Sequence, residues 1–193
     1  MTPGRKLIPK VLLEGTRLTW KTGIAFGLNE HPRVVGPRRY RYHSQIVSAE
    51  WCALTDFPWG RGLINFEPHE KERAMEAYRT WVRLLFQQAR YGGSPDFGWL
   101  EERPLPLGFR LVMCTRAPGS FEAARERRLK VSGNARQYDD LSLFVAEQER
   151  LRELARLSRL PLLELDVSDD DPARACDRIA DWLDATGGLH DPG

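Results

Sequence analysis

This chain of 193 residues has few of the residues that usually announce a chemistry. It holds three cysteines, Cys52, Cys114 and Cys176, widely spaced and odd in number. With no CxxC pair or Cys/His cluster among them, neither a zinc site nor a disulfide framework is indicated. Cys114 and Cys176 lie among apolar residues and are expected to be small core side chains. The four histidines, His31, His43, His69 and His190, are scattered and offer no metal-ligand spacing. No G-x-S-x-G elbow or Cys/His pair suggests hydrolase chemistry. No apolar run approaches the ~20 residues of a membrane span. Met1 to Pro9 lacks the apolar stretch of a secretory signal, so the expectation is a cytoplasmic protein with no membrane partner. An excess of one charge is also missing. The 29 basic and 27 acidic residues nearly cancel to +2, so the whole chain does not read as a nucleic-acid binder. Without internal repeats or low-complexity linkers, and at a length that suits one full core better than two, residues 1–193 read as a single domain.

What is present is an alternation of strand and helix signals. Lys10–Glu14 (KVLLE) is a short apolar run ending at Gly15 and reads as a buried strand. Thr22 to Leu28 has helical character, broken by Asn29 and Pro32. Arg33 to Gly36 resembles a second short strand, while Pro37 to Trp59 is dense in aromatics and turn formers and resists assignment. Arg61 to Phe66 (RGLINF) reads as a third strand. From Glu70 to Arg90, Ala74, Ala77, Tyr78, Trp81, Leu84, Leu85 and Gln88 follow the spacing of one buried helical face. A short helical piece around Trp99 to Glu102 precedes the strand candidate Phe109 to Cys114. Helices are expected at Phe121 to Lys130 and at Asp139 to Leu157, the second with Leu141, Phe144, Val145, Leu151, Leu154 and Ala155 inward. Leu160 to Asp166 is the last strand. Asp171 and Pro172 supply an N-cap and a first-turn proline for a helix from Ala173 to Ala185, which Gly187 and Gly188 would end. Such an order predicts an α/β fold with a parallel sheet covered by helices on both faces, a three-layer sandwich.

The segment after the first strand carries the sharpest chemical signal. A phosphate-binding loop needs a strand, a glycine-rich turn whose N–H groups surround the anion, and a Lys-Ser/Thr pair opening a helix. Gly15, Lys21 and Thr22 occupy those positions of G-x-x-x-x-G-K-[ST], with Thr16 inside the loop, but Trp20 stands where the second glycine belongs. A left-handed backbone at that position would cost any side chain about 1–2 kcal/mol. The indole is then either an obstruction or a surface turned outward to stack on a base or a partner. Without phosphate chemistry, the same residues are a strand-to-helix turn with a chance Lys-Thr pair.

From Phe109 onward the chain resembles the C-terminal half of thymidylate kinase-like and other nucleoside or nucleotide kinases of the P-loop superfamily. The matching pieces are FRLVMCTR (109–116), SFEAARERRL (120–129), YDDLSLFVAEQERLRELA (138–155), LPLLELDVS (160–168) and ACDRIADWL (175–183). In that family an apolar strand leads to an arginine-rich lid, then a long helix, a strand ending in an acid and a closing helix. With the first loop, the resemblance touches about half the chain. It implies a P-loop NTPase fold of nucleotide kinase type with a lid at about 116–137. It also implies ATP or GTP as donor, Mg²⁺ and a small-molecule acceptor. Lys21 would neutralise the β/γ-phosphates, Thr22 would ligate the metal, and Gly15 would permit the turn. Arg125 and Arg128, three apart on one helical face, match lid arginines that close over the transferring phosphate. Arg125, Arg127 and Arg128 are otherwise a solvated face with ion pairs such as Glu126 with Lys130.

The family's Asp-Arg pair after the third strand has no counterpart here. Glu67, directly after RGLINF, is the acidic residue at the end of a middle strand and the candidate general base. Arg38, Arg39 and Arg41, interleaved with Tyr40 and Tyr42 near Arg33 and His43, form a basic aromatic cluster where such kinases bind their acceptor. A solvated loop is the competing reading. Asp169, Asp170 and Asp171 read as turn and capping residues. The six tryptophans, with Trp51 and Trp59 in an irregular stretch, hint at a substrate or partner surface, but burial of most of them is the expectation. The functional expectation is ATP- or GTP-dependent phosphorylation of a small molecule such as a nucleoside or nucleotide. The rival is a kinase fold without activity, kept for nucleotide sensing or protein–protein interaction. A P-loop sulfotransferase is a third class, and a homodimer is one option for assembly.

Overall fold

The structure, a computed structural model, describes residues 10–35, 45–48, 101–102, 105, 109–131 and 135–188. Strand β1 (Lys10–Glu14) is flanked on both sides. It pairs in parallel with β2 (Gln45–Ser48), Val11 opposite Ile46, and with β3 (Phe109–Thr115), Leu12 opposite Leu111. Strand β4 (Leu162–Asp166) pairs in parallel with β3, Met113 opposite Glu164. Among the described residues the sheet therefore has four parallel strands in the order β2-β1-β3-β4. The chain is a mixed α/β protein, and Val11 to Leu13 and Leu111 to Cys114 show why the central strands read as unbroken apolar runs. Both their faces are buried.

Five α-helices are bounded among the described residues: α1 (Lys21–Glu30), the single turn α2 (Pro32–Val35), α3 (Phe121–Leu129), α4 (Leu141–Arg156) and α5 (Pro172–Ala185). One core lies between α1 and α5 and one face of the sheet. Val11, Leu13, Val112, Cys114 and Leu165 meet Ile24, Ala25 and Leu28 of α1 and Ala175, Cys176, Ile179, Ala180 and Leu183 of α5 there. Leu12, Leu111 and Met113 alternate with these along their strands and so face the other side. Helix α4 packs against β3 and buries Phe144, Leu151, Leu154 and Ala155. A smaller core of Phe121, Tyr138 and Phe144, with Leu18, Leu129, Leu141 and Val145 around it, lies under α3.

Capping follows the sequence signals closely. Asp171 Oδ1 accepts from the N–H groups of Ala173 (3.1 Å) and Arg174 (3.0 Å), with Pro172 at the first helical position. Gly187 takes φ 65° after α5, where Gly188 N–H reaches Leu183 O (2.6 Å). Asp140 caps α4 through Ser142 (3.0 Å) and Leu143 (3.3 Å). The expected helix at 139–157 is thus Leu141–Arg156, and the expected strand at 160–166 is Leu162–Asp166.

One expected strand is absent. Arg33 to Gly36 was expected to extend, but Pro32–Val35 forms a helical turn. Val34 is fully buried against the α1/α5 core, and Arg33 reaches Asp181 (2.6 Å) and Asp184 (3.4 Å) on α5. Those tertiary contacts outweigh the β preference of two valines, which is a weak and context-dependent term. The strand beside β1 comes instead at Gln45–Ser48, within the unassigned aromatic stretch. Helix α1 also runs past Asn29 to Glu30, since only Pro32 lacks the donor needed to continue. The strand expected at 61–66 and the helix expected at 70–90 lie outside the described residues.

Candidate functional site

Strand β1 lies between β2, which follows it in sequence, and β3, so successive connections leave it in opposite directions. In parallel sheets the crevice at the carboxyl ends of strands, where the order reverses, is where ligands collect. The β1–α1 loop, residues 15–20, opens at that point. Gly15 begins it with φ 147°, and a Cβ there would lie 2.5 Å from the carbonyl oxygen of Cys114 on β3. Only glycine fits this conformation and this approach.

The loop is held by its own polar groups. Thr19 Oγ1 donates to Thr16 O (2.7 Å), and the Lys21 ammonium curls back to donate to the same carbonyl (2.5 Å) and to Thr19 Oγ1 (3.4 Å). Lys21 is only 4% exposed, so its charge is directed into the loop rather than into solvent. Thr16 Oγ1 donates to Glu147 on α4. Arg17 lies over the Phe144 ring, 5.8 Å from its centroid, and Leu18 rests on the small core under α3. Leu18 and Trp20 both adopt left-handed backbone angles, φ 66° and φ 59°. Trp20 is the N-cap of α1 and its side chain makes no capping bond; the helix begins with Lys21, then Thr22, which is half-buried. A helix N-terminus without an acidic residue in its first turn or a side-chain cap keeps its amide dipole directed at whatever enters the loop.

Trp20 does not stand free in solvent. Its ring lies over the first turn of α1, where a Cβ on Gly23 would meet Trp20 Cε3 at 3.1 Å. Its Nε1–H donates to Asp170 Oδ1 (2.8 Å) in the turn between β4 and α5. The same Oδ1 accepts from Arg116 Nη2 (2.5 Å), and Oδ2 accepts from Arg127 Nη2. Arg116, the first residue after β3, is 1% exposed and also donates to Leu18 O through Nε (3.0 Å). Its main chain is gripped by Gln148 of α4. The amide oxygen of Gln148 accepts from Arg116 N–H (2.7 Å), and its NH₂ donates to Arg116 O (2.9 Å). Burial pulls the Asp170 carboxyl upward. Hydrogen bonds from Arg116 and Trp20 and the charges of Arg116 and Arg127 outweigh it and hold the group below the usual carboxylate range.

The site residues expected from sequence divide into three groups. Gly15, Thr16, Trp20, Lys21 and Thr22 share the loop and the start of α1. Arg125 and Arg128 lie on α3 but turn to Tyr138, Arg125 Nε reaching its carbonyl (3.0 Å) and Arg128 Nε its hydroxyl (3.2 Å). Arg127, taken from sequence as part of a solvated face, is the α3 arginine that reaches the crevice. Glu67, Arg38, Arg39 and Arg41 lie outside the described residues. Asp170 does not serve as a helix cap; Asp171 does. Sequence reading missed Arg116 and Gln148 as site residues. Arg116 could have been found as the first residue past the carboxyl end of the strongest strand. Gln148 could have been found as the polar residue that interrupts the apolar stripe of α4.

Among the described residues no cluster of three or more His, Cys, Asp or Glu is placed to hold a metal ion, and no helix is long and apolar enough to cross a membrane. Cys114 and Cys176 are buried, and that burial pushes both thiols up to about 12, so neither offers a thiolate at neutral pH. Compared with models of known protein families, with curated proteins and with solved structures, the chain matches none significantly.

Proposed function

We propose that the β1–α1 loop binds the polyphosphate of ATP or GTP, and that the chain is a P-loop kinase-like protein. It would transfer the γ-phosphate to a small molecule such as a nucleoside or nucleotide. The observation that carries this reading is the loop itself. A strand at the reversal of a parallel sheet runs through a positive-φ glycine into an uncapped helix N-terminus, with a buried lysine folded over the turn. Backbone amides, a helix dipole and an ammonium in one small volume suit a polyanion. Lys21 would exchange the Thr16 carbonyl for phosphate oxygens. Arg116 and Arg127 stand at the same crevice to meet charge on the transferring group. Magnesium in such sites keeps several waters and takes one or two protein oxygens besides the phosphates, so the single hydroxyl of Thr22 suits it and no acidic cage is needed.

Trp20 favours a second reading, a kinase-like fold without phosphoryl transfer that serves nucleotide sensing or protein–protein interaction. A left-handed tryptophan occupies the position where close approach to an anion calls for glycine. Calorimetric titration with ATP·Mg²⁺ and GTP·Mg²⁺ of the native chain, Lys21→Ala and Trp20→Gly separates the readings. Micromolar binding that falls at least tenfold (about 1.4 kcal/mol) in Lys21→Ala is expected. Tighter binding by Trp20→Gly supports the inactive fold, and weaker binding supports a working role for the indole. Heat signals absent up to millimolar nucleotide would remove the nucleotide reading altogether.

A further inference from the structure

The three consecutive aspartates after β4 do three different things. Asp171 caps α5, and Asp169 pairs with Arg174 (2.9 Å). Asp170 instead points into the crevice, with φ 58° in the region L residues seldom adopt. Its carboxylate is met by three donors from three separate parts of the chain: Trp20 of the β1–α1 loop, Arg116 after β3 and Arg127 of α3. One carboxylate thus holds two guanidinium groups, while Lys21 and Glu147 meet the loop beside it through Thr16.

Two features make this contact more than a local ion pair. Helix α3 fully buries only Phe121 and Ala124, and its C-terminal end is held by Leu129 on the small core, by Arg128 on Tyr138 and by Arg127 on Asp170. The guanidinium groups held by Asp170 are also of the kind that binds phosphate in the same forked geometry. A polyphosphate carries several charges to the single charge of Asp170, so it competes directly for both arginines.

We propose that Asp170 is a latch. Its carboxylate ties the β1–α1 loop and α3 to the β4–α5 turn, and an entering polyphosphate opens the latch by taking over Arg116 and Arg127. The second half rests on the nucleotide-binding reading; the latch itself does not. Opening frees α3 to move and leaves the Trp20 indole as the remaining donor to Asp170. The site is then closed by its own acid until an anion of higher charge arrives.

The test uses the full chain without ligand. Amide hydrogen exchange is followed by mass spectrometry in the native protein and in Asp170→Asn, Arg127→Gln and Trp20→Phe, with circular dichroism to check that each variant is folded. Asp170→Asn keeps an acceptor oxygen but loses the charge. It is expected to speed exchange at least tenfold in both 15–20 and 121–131 while β1 and β3 keep their native rates. Arg127→Gln should loosen α3 alone, and Trp20→Phe the loop alone. Unchanged rates in Asp170→Asn, or acceleration spread through the strands, overturn the latch. Calorimetry with inorganic tripolyphosphate then tests its opening, where Asp170→Asn should bind at least tenfold more tightly than the native chain. Equal affinities overturn anion-driven opening. Binding by neither protein overturns the nucleotide reading and the opening step together, while the exchange rates still decide the latch.

Discussion

At Gly15 the chain leaves β1 at φ 147° with the Cys114 carbonyl so close that a methyl group has no room. Gly15→Ala must therefore strain the backbone and push β3 aside. We expect a loss of about 2 kcal/mol or more, the upper part of the range for a strained backbone residue, read as a lower urea midpoint at unchanged slope. Trp20 is the opposite case, a bulky residue kept in a left-handed conformation. Its indole bond to Asp170, together with the ring's seat on Gly23, offsets the conformational penalty. Gly15 and Lys21 were legible in the sequence because spacing alone places them at the two ends of the β1–α1 loop. The partners of Asp170 were not legible, because 54 residues separate it from Arg116 and 150 from Trp20. A run of three acids before a proline reads as a cap until the fold divides it.

Among the elements, α4 connects packing to the site. Four turns of apolar stripe carry a glutamine at 148, and that amide returns two hydrogen bonds to the buried main chain of Arg116. Gln148→Ala leaves a buried N–H and a buried C=O without these bonds. The expected cost is about 1–3 kcal/mol in thermal or urea unfolding, larger than for an exposed glutamine on the same helix. Helices α4 and α5 were legible because capping residues and three/four spacing agree with one another, joined in α5 by the glycines that end it. The turn at Pro32–Val35 was not. Two valines favour extension locally, and only the burial of Val34 and the bonds of Arg33 to α5 decide otherwise. Strand β2 was hidden for a related reason, since Gln45–Ser48 is too short and too mixed to show a period.

For the whole molecule, the depressed carboxylates among the described residues predict sensitivity to acid. Asp140, Glu164 and Asp170 are all held below the usual carboxylate range. The largest cause is the hydrogen bond from the Ser142 hydroxyl for Asp140 and that from the Arg156 guanidinium for Glu164. For Asp170, burial raises the group but is outweighed by Arg116, Trp20 and Arg127. A depressed folded value means that these groups stabilise the fold above their unfolded values, near 4, and that this stability disappears as pH falls through the folded values. The urea midpoint should be flat from pH 7 to about 5.5 and fall below about pH 4.5, and Asp170→Asn should blunt that fall. A midpoint that rises on acidification would show that another group controls the response. The sequence by itself determined β1, β3 and β4, the caps of α5 and the glycine-to-lysine loop, because these depend on neighbours a few residues apart. The tertiary structure decided the strand order, the turn at Pro32–Val35 and the joining of Trp20, Arg116, Arg127 and Asp170. Those depend on which distant segments the parallel sheet brings to one edge, and local spacing carries no record of that.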